Sequence, residues 1–288
     1  MQILVTGTLL GGTYALIALG LTLQYGAARI MNLANGETLV AACFVAFWLF
    51  SRLGVNPILG MVIIAPAALV LNWLIYAWLL RPLVRRAKNR GMLEVDSILA
   101  TFGLLFLFQG LMLLTFGGAY FNYKFLAEPF SILGTPYALN RVVAFVAGVL
   151  VSSLLYLFLY HTRQGAAVRA IAVDPASAQL VAIDVSRTAG FSFALGGALT
   201  ACGGTLLSTF YTFNASMGVL FTMKALIIVI MGGVGDIRGA TLAAFILGLS
   251  ETAVASLIDP GLTLAATYAL FILVLLFRPQ GILRRGAA

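Results

Sequence analysis

The sequence predicts an all-α, polytopic membrane helical bundle of about nine transmembrane segments. Composition is the first reason: 62% of the 288 residues are hydrophobic and only 9% are charged, whereas a soluble domain carries about 25% charge. Several apolar runs also approach the ~20 residues needed to cross hydrocarbon. The ~10-residue alternating segments of a membrane β-barrel are absent. No domain boundary stands out, so residues 1–288 read as a single transmembrane domain.

The first span runs from about Ile3 to Tyr25, too long for a signal-peptide core and without a basic start, so it reads as retained. A polar turn with Arg29, Asn32, Asn35 and Glu37 follows. The second span, Thr38 to Phe50, reaches normal length only if NLANGE enters the membrane. The third covers Ile58 to Leu80, and a basic loop follows from Arg81 to Asp96 with Arg85, Arg86, Lys88 and Arg90. The fourth runs from Ser97 to Phe116, and the aromatic, nearly uncharged stretch Gly117–Asn140 leads to the fifth, Val142 to Tyr160.

Arg163–Arg187 is the longest stretch of the second half that no bilayer would accept. Within it, Asp174-Pro175 spells a helix start, with Asp as N-cap and Pro at the first helical position. The small residues after it leave a helix that another surface can approach closely. The sixth span covers Ala189–Phe210. The seventh, Val219–Met231, is short enough to be re-entrant. The glycine-rich turn GGVGDIRG leads to the eighth, Ala240–Leu257, and the ninth runs from Leu262 to Phe277.

The net charge of +8 does not call for nucleic acid, because the basic residues cluster at the ends of apolar runs as topology signals do. With Arg81–Asp96, Arg163–Arg187 and the tail inside, only Arg52, Lys124, Arg141 and Lys224 of the 17 lysines and arginines remain outside. That bias puts the N-terminus outside and the C-terminus inside. A faint echo links GGTYALIALG…NLANGETLVAA to GGALTACGG…GDIRGATLAA, in the manner of the inverted repeats of transporters.

Enzyme constellations are scarce. The single histidine, His161, stands at a span end, and no HExxH, GxSxG or Cys/His metal spacing occurs. Cys43 and Cys202 lie in apolar segments as free buried thiols, and no metal or cofactor is expected. GGVGDIRG lacks GxxxxGK[ST] and reads as a tight turn between helices. Ionisable side chains at membrane depth are candidates for a path, which singles out Glu37, with Asn32 and Asn35 beside it, and Glu251. Each acid stands alone, without the carboxylate ladder of a proton-driven carrier. Recurrent glycines in the first and sixth spans fit close helix packing.

Five stretches in order carry a resemblance: GGTYALIALGLTLQYG, MNLANGE, VRAIAVDPASAQLVAIDV, MGGVGDIRGA and FRPQGIL. Together the chain resembles the membrane permease subunits of ATP-binding-cassette importers for branched-chain amino acids, the LivH type. Asn35 stands where that family usually has His, and Ala182 where it often has Gly. The resemblance implies a transport subunit, not an enzyme, in a bacterial inner membrane. It also implies a second homologous permease, a periplasmic substrate-binding protein and two cytoplasmic ATPase subunits as partners. The segment 163–187 becomes the coupling element, with Val168, Arg169, Asp174, Ala178 and Ala182 at or beside the ATPase groove. A urea or short-amide permease or channel, and an ion-coupled carrier, are the alternative readings.

Overall fold

A computed structural model describes residues 2–87, 89–126, 128–132, 135–278 and 281–283. Lys88, Arg284 and Arg285 of the basic inside set, and Pro279-Gln280 of FRPQGIL, lie outside them. The elements are α1 (Gln2–Ala28), α2 (Asn35–Leu53), α3 (Pro57–Ile75), a π-helical turn (Tyr76–Leu80), α4 (Arg81–Arg86) and α5 (Arg90–Phe116). A short hairpin follows, β1 (Pro129–Ile132) with β2 (Thr135–Ala138) antiparallel to it. Then come α6 (Leu139–His161), α7 (Arg163–Val173), α8 (Pro175–Leu180), α9 (Val185–Ser208), α10 (Gly218–Gly232), α11 (Ile237–Leu257), a 3₁₀ turn (Pro260–Leu262) and α12 (Thr263–Phe277). Among the described residues eight helices are long and apolar enough to cross a membrane, and α10 is shorter. The architecture is an all-α polytopic membrane bundle, and the hairpin sits in the aromatic stretch between α5 and α6.

The expected basic loop is a correction. Arg81–Arg86 continues the third span as helix, through the π turn, and α5 already begins at Arg90. Long cationic side chains at a span end extend away from the apolar layer, so the helix does not have to stop where the charges begin.

Two helices form the axis. The central window of α9 is 89% buried and that of α1 67%, against 6% for the window containing α12. Small residues make this possible, since membrane helices gain little from apolar burial and rely on close contact. A Cβ on Gly20 would strike the Gly196 carbonyl, and one on Gly196 the Gly20 carbonyl. The order of contacts, Gly203 by Leu16–Ile17 and Gln24 by Phe193, makes α1 and α9 antiparallel. On the other side of α1, Gly11 meets Phe245 and Gly7 meets Leu249, so α11 also runs antiparallel to it. A large aromatic cluster fills the end where α2 finishes: Phe44 stacks on Phe116 at 4.1 Å and meets Phe121 and Phe213 edge-on.

Both glycines with positive φ in GGVGDIRG, Gly233 (100°) and Gly235 (83°), are turn positions, and Asp236 caps α11 through the Arg238 amide. The glycine-rich stretch is therefore a tight helix-to-helix turn. Cys43 and Cys202 are both buried and free.

Candidate functional site

α1 ends at Ala28, and the chain then folds back into the bundle, because α2 starts at the depth of the middle of its neighbours. Asn35, its first residue, accepts a hydrogen bond from Thr200 Oγ1 at 2.9 Å, and Thr200 sits against Gly20 of α1. NLANGE thus enters the bundle, which gives α2 its 19 residues. A turn at this depth must find partners for its backbone, since water is absent. Gln24 and Asn32 bond to each other at 3.0 Å, and Gln24 also donates to Phe193 O. Leu33 N donates to Thr101 Oγ1, which in turn donates to Met31 O. From the far side, Thr222 of α10 accepts from Gly36 N at 2.8 Å and donates to Leu33 O at 3.1 Å.

The other half of this crossing is the start of α10. The chain leaves α9 and runs inward through residues 209–217, where Phe213 and Ala215 are fully buried. Gly218, the first residue of α10, lies against Gly36 so closely that a Cβ on either would collide, with the Glu37 carboxylate or with the Gly218 carbonyl respectively. Contacts run from Leu33–Thr222 to Glu37–Gly218, so α2 and α10 depart from one point in opposite directions. α10's 15 residues rise about 22 Å, less than the ~30 Å of hydrocarbon. The seventh span is therefore a half-helix that begins inside the protein. The pairs α1/α9 and α2/α10 are each antiparallel, and the first brings the two GG stretches of the sequence echo into contact at Gly20 and Gly196.

Glu37 is fully buried at this crossing, and neither carboxylate oxygen has a hydrogen-bond partner among the described residues; Asn35 Nδ2 is also unpartnered. Buried polar atoms are nearly always satisfied. Here the three exceptions lie in the first turn of α2. Asn32 and Asn35 reach Gln24 of α1 and Thr200 of α9, Glu37 lies against Gly218 of α10, and Glu251 is apart from all three.

Glu251 has its own partners, which corrects its reading as an isolated acid. Lys224 of α10 lies 2.9 Å away in an ion pair. Tyr14 of α1 donates to Glu251 Oε2 at 2.8 Å and accepts from Lys224 Nζ at 2.8 Å. Thr267 of α12 donates to Oε1 at 2.7 Å. Four helices thus converge on one carboxylate. Lys224 is consequently not an exterior-loop cation. The signal was present: a lysine in TMKALIIVIM cannot reach an interface from inside the bundle and needs an anion. It was hidden because a span beginning near Val219 would put residue 224 close to its end.

The stretch 163–187 folds as α7, α8 and the start of α9. Asp174 caps α8 as expected, accepting from Ala176 N at 3.0 Å and from Ser177 Oγ. Val168 and Ala178 face inward and are buried with Ile171. Arg169 lies 4.5 Å over the Tyr160 ring, bracing α7 on α6. Ala182 takes a left-handed backbone with φ 60°. The free surface is Val173 (84% exposed), Leu180 (87%) and Val181 (69%). None of these three was singled out in the sequence, because isolated apolar residues in a polar stretch read as filler.

A family model described as "Branched-chain amino acid transport system / permease component" matches residues 3–277. The chain is 30% identical, over an alignment of 303 residues covering 99% of it and 96% of the relative, to the "High-affinity branched-chain amino acid transport system permease protein LivH" of Salmonella typhimurium. It is 30% identical over 295 residues to the permease protein BraD of Pseudomonas aeruginosa, with 99% and 96% covered. The "Autoinducer 2 import system permease protein LsrC" of Enterobacter sp. matches more locally, 31% over 172 residues, covering 56% of this chain and 48% of that one. Among solved structures, "PsaBC from Streptococcus pneumoniae in complex with Fab" shares the fold, with a TM-score of 0.51 at 10% identity over 97% of this chain and 93% of that one. With a membrane bundle of the right architecture and a family match over nearly its whole length, the chain belongs to the branched-chain amino acid transport permeases.

Proposed function

We propose that this permease is one half of the membrane-spanning part of an ATP-binding-cassette importer for branched-chain or related hydrophobic amino acids. The observation that carries the reading is the α7–α8 element, whose apolar knuckle Val173, Leu180 and Val181 is exposed among the described residues. Exposed apolar residues gathered at the end of α7 and the end of α8 suit a partner's groove. The chain carries no nucleotide motif, so the work of transport comes from outside it. Two ATPase subunits grip this knuckle. Asp174 and Ala182 set its shape, while Val168, Ala178 and Arg169 transmit its movement into the bundle.

On this reading the knuckle is cytoplasmic, together with Arg29, whose guanidinium donates to Ala172 O, and Arg238, which shares Tyr160 with Arg169. The gathering of cations at one end supports a cytoplasmic C-terminus and a periplasmic N-terminus. A second, homologous permease completes the pathway, and a periplasmic binding protein delivers the amino acid. Asn32, Asn35 and Glu37 lie on the route: the unsatisfied carboxylate and amide suit the ammonium and carboxylate of the substrate once α2 and α10 part. Glu251 serves the route indirectly by holding α10.

The test is reconstitution. The chain, its permease partner and the two ATPases are placed in liposomes with the binding protein, and leucine uptake is followed with and without ATP. Uptake that requires ATP hydrolysis supports the importer. Leucine flux without the ATPases, driven by an ion gradient or by leucine alone, overturns it in favour of a carrier or channel.

A further inference from the structure

The side of the bundle away from the α2/α10 crossing carries an open groove of about 680 Å³ between α1, α6 and α11. Its walls are almost wholly apolar, with Leu19, Val149, Leu157, Leu242 and Phe245 along them. Its end is not. There Arg238 donates to the Tyr156 hydroxyl at 3.2 Å, and Tyr156 stacks on Tyr160 at 4.3 Å. Tyr160 also carries the Arg169 guanidinium at 4.5 Å and that of Arg238 at 6.0 Å. Arg238 is thus the cation at the groove's polar end, Arg169 lies against Tyr160 outside the groove's lining, and among the described residues neither has a carboxylate within 4 Å.

An arginine without a carboxylate at the end of an apolar groove is a site for a phosphate, which it engages through its fork of donors. The groove fixes what the phosphate must be attached to. Phe245 lies seven residues along α11 from Arg238, about 10 Å down the helix axis, so the apolar trough descends from the cation into the hydrocarbon. A free phosphate uses only the cationic end. A zwitterionic lipid uses the trough but brings its own cation to the arginine. Basic pockets between transmembrane helices bind anionic headgroups at the membrane surface. We propose that the groove holds one anionic phospholipid, its phosphate at Arg238 beside the Tyr156 hydroxyl and one acyl chain along α6 and α11.

Such a lipid has a mechanical role. It ties the start of α11 to the end of α6, the helix on which Arg169 braces α7. The inference concerns a lipid-facing groove and stands whether or not the coupling reading holds.

The experiment is native mass spectrometry of the intact, delipidated chain titrated with phosphatidylglycerol or phosphatidylcholine of matched chains. The unaltered protein retains phosphatidylglycerol at least tenfold more than phosphatidylcholine. Arg238→Gln removes most of that preference, and Arg238→Lys keeps part of it. Ser152→Phe, which fills the trough beneath the cation, reduces occupancy by both lipids. Size-exclusion profiles of the three variants match the parent, since Arg238 and Ser152 are not fully buried. Equal binding of the two lipids, a preference unchanged in Arg238→Gln, or inorganic phosphate displacing phosphatidylglycerol completely would overturn the proposal. So would disulfide-linked dimers of Leu242→Cys in native membranes, which would assign the groove to a second copy of the chain.

Discussion

Ala182 sits at the position after the C-cap of α8, where the amide of Ile183 bonds back to Ala178 O and that of Ala182 to Gln179 O. That pattern closes a helix with one left-handed residue and favours glycine. Ala182 adopts it with φ 60°, at a cost of about 1 kcal/mol for its Cβ. Ala182→Gly is expected to raise stability by about that amount, read as a higher melting temperature in detergent; an unchanged or lower value would show that the strain is not there. The Lys224–Glu251 pair makes a second residue-scale prediction. Removing one member of a buried pair strands the other charge and costs about 3–5 kcal/mol, whereas replacing both is far milder. Glu251→Gln and Lys224→Met should each lower the melting temperature and uptake sharply, and the double variant should recover most of the stability. Additive losses in the double variant would mean that the two do not act as a pair. Glu251 could be recognised in the sequence because a carboxylate in LGLSETAVAS is costly wherever it faces. Its partners could not: Tyr14 and Thr267 are ordinary span residues until three other helices are placed around residue 251.

Most elements were readable because hydrophobic length sets them; the spans expected at Val142–Tyr160 and Leu262–Phe277 are α6 and α12 to within a few residues. The errors share one cause. Where the chain turns inside the bundle, or a helix runs on past the membrane surface, apolar length no longer marks the end. α2 gained NLANGE, α10 became a half-helix, and α4 continued the third span into Arg81–Arg86. The crossing of α2 and α10 depends on a hydroxyl bridge, Thr222, which takes the Gly36 amide and gives to the Leu33 carbonyl. Thr222→Val keeps the shape and removes both bonds. Two buried backbone groups left without partners cost about 1–3 kcal/mol each. We expect a lower melting temperature, and increased hydrogen exchange confined to residues 31–38 and the first turn of α10. Exchange unchanged in those segments would show that the crossing is held by packing alone. Neither Gly36 nor Gly218 can serve for this measurement, since any side chain there collides with the opposite helix.

At the scale of the whole molecule, the arrangement joins a tightly packed axis to a thinly covered periphery and one projecting knuckle. Interlocked glycines hold α1 and α9 in close contact. In the proposed importer, force applied at α8 reaches the α2/α10 crossing through α7, α6 and α9. Leu180 tests this without disturbing the fold. Its side chain is 87% exposed, and substitutions at such positions change stability by only about 0.5 kcal/mol. Leu180→Asp should insert, melt and label like the parent, yet fail to co-purify with the ATPase subunits and carry leucine only at background rates. In the proposed importer the knuckle faces the cytoplasm, which membrane-impermeant thiol reagents applied to intact cells can test. A cysteine at Lys124 should be labelled and one at Arg163 should not. Labelling of residue 163 from outside would put α8 beyond the reach of any cytosolic ATPase and leave its exposed valines and leucine without a partner to explain them.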